Sequence, residues 1–222
     1  MAEALSRVAR SLESEPDQQR TLAAIVTGVI AMVAGAQCAG ITLVDKGVPS
    51  TVAPSNPLVT QVNALQYKTK QGPCVDAAAR QGTFRTGDLA LETQRWPRFV
   101  PAVTGLGVRS MLAWGLFTVG TTYGSLNVYS TEPDAFDQEA ALVGELFASH
   151  AAVALAGVRR QTELHAALGT RDLIATAKGI LIARHRCDPE KAFRMLAEAS
   201  QNTNMKLVDV AAWLVKDAAG PN

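Results

Sequence analysis

Arg171, Lys178 and His185 stand seven residues apart toward the C-terminal end of this 222-residue chain. Two helical turns take about seven residues, so a helix here sets all three on one side. Two permanent cations and a titratable imidazole on one face suit phosphate oxygens. Arg184 and Arg186 follow in the same stretch, where positive charge also complements a helix dipole. Asn204 and Lys206 lie close together further on. Arg171, Lys178, Arg184, His185, Arg186, Asn204 and Lys206 therefore form a candidate nucleic-acid-binding set, against the plainer reading of solvated surface charges. Trp213 has the ring area to stack on an unpaired base, but a packed tryptophan is the expected reading.

Overall charge says little. The chain carries 21 basic and 20 acidic residues, which argues against a wholly basic binder. Residues 1–158 hold 11 basic and 13 acidic side chains, and residues 159–222 hold 10 and 7. Recognition depends on where charge sits, and the mild positive excess sits with the cation set.

The remaining reactive side chains do not assemble into a catalytic motif. Cys38, Cys74 and Cys187 are odd in number and far apart, with no CxxC pair. That pattern fits a reduced, cytoplasmic protein better than a disulfide framework. His150, His165 and His185 show no metal-ligand spacing. Cys74 has no nearby histidine or paired base, so it reads as packed, neither nucleophile nor chromophore anchor. Asp88 and the Arg95-Trp96 pair suit capping and packing as well as they suit a pocket. His150 reads as a helix-packing side chain. There is no phosphate-binding glycine loop, HExxH or Ser-His-Asp constellation. The chain reads as a non-enzyme without metal or cofactor.

The elements that hold these residues follow from periodicity. Residues 1–17 contain a helix with Leu5, Val8, Ala9 and Leu12 at helical spacing, broken at Glu15-Pro16. Met1–Asp17 carries several charges and no apolar run of the secretory kind. Thr21–Val44 is uncharged and long enough to span a bilayer. Its residues Leu22, Ile25, Val26, Val29, Ile30 and Val33 trace one helix face, and Ile41, Leu43 and Val44 a strand. A buried helix followed by a strand is expected, and no membrane.

Strands are expected near 39–45, 50–53, 83–86, 111–119 and 123–130, the last two joined through Gly120-Thr121-Thr122. Short helices are expected after Pro57, after Gly72 and from Trp96 to Leu106. Such an order gives an α+β fold, an antiparallel sheet with flanking helices. A long helix follows Pro133, capped by Asp134 or Asp137. Leu142, Leu146, Val153 and Leu164 form a partial seam on it. The first half is expected to bury its seam on the sheet, and residues 159–170 to act as a connector that pairs with another subunit.

Residues 171–217 read as three short helices, the second starting at Asp188-Pro189. Their core positions are Leu173, Ile174, Ala177, Ile180 and Leu181, then Ala192, Phe193, Leu196 and Ala199, then Leu207, Val210, Ala211 and Leu214. The small residues Ala175, Gly179 and Ala183 thin the first helix for a close neighbour. A polar tail, 218–222, ends the chain.

Ala175-Thr176-Ala177-Lys178-Gly179-Ile180-Leu181-Ile182-Ala183-Arg184 resembles the opening of an ANTAR domain. Pro189-Glu190-Lys191-Ala192-Phe193-Arg194-Met195-Leu196 and Asn204-Met205-Lys206-Leu207-Val208-Asp209-Val210-Ala211 resemble its later parts. Upstream, Gly72-Pro73-Cys74, Thr86-Gly87-Asp88-Leu89, Arg95-Trp96-Pro97 and Gly124-Ser125-Leu126-Asn127-Val128-Tyr129-Ser130 resemble the GAF domains that precede ANTAR domains, over roughly residues 18–158. Two positions depart from the pattern. Thr176 stands where ANTAR domains commonly have glutamine, and Gly115-Leu116-Phe117 where a Pro-Leu pair is common.

The resemblance implies a GAF-like sensor with a pocket for an unknown small molecule, then an ANTAR-like domain. It further implies a homodimer that binds paired hairpin loops in nascent messenger RNA and so prevents a terminator from forming. The alternative is a sensor and dimerisation protein that never touches nucleic acid.

Overall fold

Alternation along the strands divides the first half of the chain into two differently composed layers. In a computed structural model that describes residues 18–219, β1 (Cys38–Asp45) and β2 (Val48–Val52) pair antiparallel. With β3 (Thr83–Thr86), β4 (Ser110–Thr118) and β5 (Thr121–Ser130) they form one sheet in the order β2-β1-β5-β4-β3. Ala39, Ile41, Leu112, Trp114, Leu116, Leu126 and Val128 belong to one core. Their neighbours Cys38, Met111 and Tyr129 belong to another, as a period of two residues requires. The expected helix in residues 1–17 and the end of the tail, 220–222, lie outside the described residues.

Helix α1 (Gln18–Met32) packs Leu22, Ile25, Val26 and Val29 into the first core. The expected helix-then-strand division of 21–44 is therefore what forms. The opposite face carries α2 (Pro57–Thr69), α3 (Pro73–Arg80) and α4 (Phe99–Val103). Val59, Val62, Trp96, Phe99 and Val103 fill the second core. Asn56 starts α2 by accepting from the Leu58 N–H at 2.8 Å, with proline at the first turn, a favoured helix start. The single helix expected over 96–106 is shorter: α4 gives way to a 3-10 turn at Thr104–Leu106. Strands β4 and β5 are separated only by Val119 and Gly120, which has φ +77°. The turn is tighter than the expected three-residue link.

A 48-residue helix, α5 (Gln138–His185), follows. Asp137 opens it, its carboxylate accepting from the Ala140 N–H at 2.7 Å. The chain divides at Val158/Arg159 into two compact units, and the division falls inside this helix. By length and composition alone α5 could cross a membrane. In the first unit its apolar residues are taken up by the core, where Ala140, Val143, Phe147, Ala148, Ala151, Ala152 and Leu155 are buried. Gly144 permits that approach, since a Cβ there would sit 1.9 Å from the Trp114 ring. The seam expected to bury on the sheet does not: Leu142, Leu146 and Val153 are exposed, Val153 by 69%. Packing uses the neighbouring stripe instead.

In the second unit the end of α5 joins α6 (Pro189–Thr203) and α7 (Leu207–Ala218). The first of the three expected helices is no separate element, because nothing between 159 and 171 stops the helix. Gly169 costs only about 1 kcal/mol against alanine. Ala177, Leu181, Ala192, Leu196, Val210, Ala211 and Leu214 are buried together, with Leu173, Ile174, Ile180, Ala199 and Leu207 packed against them. Asp188 caps α6 by accepting from the Lys191 N–H at 2.6 Å. Asn204, at φ 53°, closes α6 in the left-handed region. Two aromatic expectations fail. Phe193 is 44% exposed and Trp213 64% exposed, because the buried arcs of α6 and α7 are already filled by smaller aliphatic side chains.

Filling the gap at Gly144 tests how the first unit is assembled. Gly144→Val forces the Trp114 ring and α5 apart and is expected to destabilise that unit by about 1–3 kcal/mol. Denaturant unfolding followed by tryptophan emission measures the loss.

Candidate nucleic-acid interface and ligand cleft

The C-terminal part of α5 supplies the cation row. Arg171 and His185 are exposed and Lys178 is half-buried. None of the three has an acidic partner among the described residues. Arg186, just past the helix end at φ 50°, is exposed as well. Arg184 departs from the set. Its guanidinium donates to the Asp217 carboxylate of α7 at 3.2 Å, so it faces α7 and is neutralised there. Both partners are 47% exposed, and such a pair contributes little, about 0–1 kcal/mol.

Asn204 and Lys206 are exposed in the link between α6 and α7. Lys206 is the residue before α7, in extended conformation, and its side chain makes no capping bond. The small residues Ala175, Gly179 and Ala183 are all exposed. A Cβ at Gly179 would meet nothing within 4 Å, so no neighbour among the described residues accounts for this glycine. The Thr176 hydroxyl donates to the Asp172 carbonyl of its own helix at 2.9 Å.

The first unit contains a cleft of about 520 Å³ over the sheet face that carries α2 and α3. Val44, Pro49, Val75, Ala78 and Ala79 make most of its wall, while Thr42, Tyr67, Cys74 and Thr122 add polar atoms and Lys70 stands at the rim. A hydrogen-bonded web lies beneath. The Tyr67 hydroxyl is 2.9 Å from the hydroxyls of both Thr42 and Thr51. Asn127 donates to Thr42 at 3.1 Å, and Asn63 donates to Thr51 at 3.2 Å. The Tyr129 hydroxyl donates to the Asn63 carbonyl oxygen at 2.5 Å. Gln66 donates to the same oxygen and accepts from the Cys74 N–H. Among the described residues Asn127 Oδ1 is buried with no hydrogen-bond partner, and Ser125 Oγ has only the Cys74 thiol beside it.

Burial governs the ionisation of this web. It pushes the Cys74 thiol up to about 12 and holds the phenols of Tyr67 and Tyr129 above their ordinary value. The cleft floor is therefore neutral at physiological pH, and Cys74 is a thiol, not a thiolate nucleophile. Asp88 and the Arg95-Trp96 pair stand outside the cleft lining. Asp88 caps a 3-10 turn and pairs with Arg109, which holds its carboxyl below the usual range. Trp96 is buried and donates to Asp76, with the Arg95 guanidinium stacked 4.4 Å from its ring centre. His150 does not pack as expected. It is exposed, its Nδ1 lying 2.7 Å from the Leu146 carbonyl.

Residues 15–156 match the GAF domain family, and residues 162–215 match the ANTAR domain. This is a GAF–ANTAR protein. The GAF part accounts for the first unit and the ANTAR part for the second, with the ANTAR match beginning inside α5. Solved structures repeat the GAF fold. A GAF domain of a phosphoenolpyruvate-protein phosphotransferase from Coxiella burnetii shares 17% identity over 73% of this chain and 96% of its own, at a TM-score of 0.58. A free methionine-R-sulfoxide reductase from Neisseria meningitidis, solved with its substrate, shares 23% identity over 72% of this chain and 90% of its own, at 0.56. No curated protein matches the GAF–ANTAR chain. Its GAF and ANTAR domains are regulatory in type, the one ligand-sensing and the other RNA-binding.

Sequence reasoning missed the cleft residues of the GAF domain. Thr42 is distant in sequence from Tyr67 and Cys74, and the three meet only through the sheet and the α2–α3 helices. One signal was present. Thr42, Ser125 and Asn127 are polar residues on alternate positions of otherwise apolar strands, and all three are buried. Thiol labelling checks the state of the cleft. With iodoacetamide at about pH 8, Cys187 is expected to react in the native protein. Cys38 and Cys74 should react only after denaturation, as read by mass spectrometry.

Proposed function

We propose that this GAF–ANTAR protein is a signal-responsive, RNA-binding regulator of transcription antitermination that acts in the cytoplasm and is not an enzyme. The observation that carries the proposal is the row of Arg171, Lys178 and His185, free of acidic partners among the described residues, on a three-helix unit with its own core. Arg186, Asn204 and Lys206 extend the exposed polar surface. Cations so placed position a phosphate backbone, and loops supply the unpaired bases that side chains read. The partner is the hairpin loops of nascent transcripts.

The GAF cleft is the place for the signal, a small molecule whose apolar body meets the cleft wall and whose polar group meets neutral hydroxyls. Regulation then requires that this molecule favour one arrangement of the protein over another. Leu142, Leu146 and Val153 in the first unit, and Leu164 and Leu168 in the second, are exposed on α5. Exposed leucines recurring along a long helix suit a homodimer.

The second reading, a sensor and dimerisation protein without RNA, draws on the same exposed leucines and on Arg184, whose charge Asp217 already meets. Charge reversal separates the two. Arg171→Glu with Lys178→Glu is expected to weaken binding of a two-hairpin RNA by roughly tenfold or more, measured by electrophoretic shift against an unstructured RNA. Equal binding of both RNAs by the unaltered protein sinks the RNA reading. Unchanged activity of the double variant in cells favours the second.

A further inference from the structure

Trp213 is the one large aromatic side chain on the outer side of α7. Val210, Ala211 and Leu214 around it are buried, while Trp213 is 64% exposed. The other two tryptophans, Trp96 and Trp114, are 2% and 1% exposed. An indole left in water forgoes a large favourable burial, and nothing in the described unit covers it.

The surroundings indicate what could. On a helix the neighbours of position 213 lie three and four residues away. They are Asp209, Val210, Lys216 and Asp217. Val210 is buried and the other three are exposed and charged. Asp217 has its charge met by Arg184. Asp209 lies in the first turn of α7, where the helix dipole favours an acid. Lys206, just ahead of the helix, and Lys216 have no acidic partner among the described residues. The exposed positions three and four residues from the ring on α7 are charged rather than apolar, unlike those of an apolar protein-docking patch. Cations beside an exposed aromatic are what a base and its phosphates require.

We infer that Trp213 is a base-stacking residue: its indole stacks on an unpaired base of the bound RNA loop while Lys206 and Lys216 meet the flanking phosphates. The inference rests on the RNA-binding reading above and adds a contact that carries no charge. That gives it a signature of its own. Removing a phosphate-binding lysine reduces the salt dependence of binding, whereas removing a stacking ring lowers affinity and leaves the salt dependence as it was.

The test uses the full chain and a two-hairpin RNA selected by it from a pool with randomised loops. Binding is followed by tryptophan emission and by titration at several salt concentrations. RNA is expected to quench Trp213 emission, the buried tryptophans staying unchanged. Trp213→Ala should lose roughly ten- to hundredfold in affinity with an unchanged salt slope, and Trp213→Phe should recover most of it. Full affinity in Trp213→Ala overturns the inference while leaving RNA binding intact. An affinity loss that comes with a lost dimer in sedimentation also overturns it, since the ring then serves a protein contact. If the selection yields no RNA at all, the RNA-binding reading fails and takes this one with it.

Discussion

Trp114 lies across Gly144 at a separation that no side chain at position 144 could share. That contact seats α5 on the sheet, and much else depends on α5. Its first part closes the core formed by α1 and the strands. Its last part supplies Ala177 and Leu181 to the core of the ANTAR unit and carries the row of cations. One helix therefore serves two cores. The stripe of Leu142, Leu146 and Val153 serves neither and remains in water.

The two faces of the sheet have been put to different uses by the same alternation. One face packs aliphatic and aromatic side chains at its centre, with the polar Ser50, Thr83 and Arg85 only on its outer strands. Its reverse mixes apolar residues with Thr42, Ser125 and Asn127 and with the phenol of Tyr129. Burying so many polar atoms is tolerable only when they bond to one another. Most do, through Asn63, Gln66 and Tyr67. The exception among the described residues, Asn127 Oδ1, belongs to a residue that borders Thr42, where the cleft begins. Polar atoms without partners are rare in folded interiors and occur where a structure does more than hold itself together.

Local chemistry made much of the fold legible. Strands at 83–86 and 123–130 follow from alternation, and α6 starts where Asp188-Pro189 says it should. The length of α5 was not legible, because residues 159–170 contain neither a strong stop nor a strong apolar face. The exposures of Trp213 and Phe193 show a different kind of miss. Chemical type suggested burial, yet at 100° per residue Trp213 lies roughly 110° from the centre of the arc marked by Leu207, Val210, Ala211 and Leu214. Angle outranked hydrophobicity. Beyond the polar alternation at Thr42, Ser125 and Asn127, the cleft was not legible, since its lining comes from β1, β2, α2, α3 and β5 and shares no local pattern.

The link between Arg184 and Asp217 joins the last turn of α5 to the last turn of α7. Its partners are half in water, so the bond is easily exchanged. A planar guanidinium accepts any anion that offers two oxygens side by side, and a carboxylate has no advantage there over a nucleotide's own. An incoming strand that took Arg184 would leave Asp217 without its counterion at the end of α7, the helix that bears Trp213, while Val210, Ala211 and Leu214 keep that helix on its core. Were a polyanion to reach this surface, it and Asp217 would compete for one arginine.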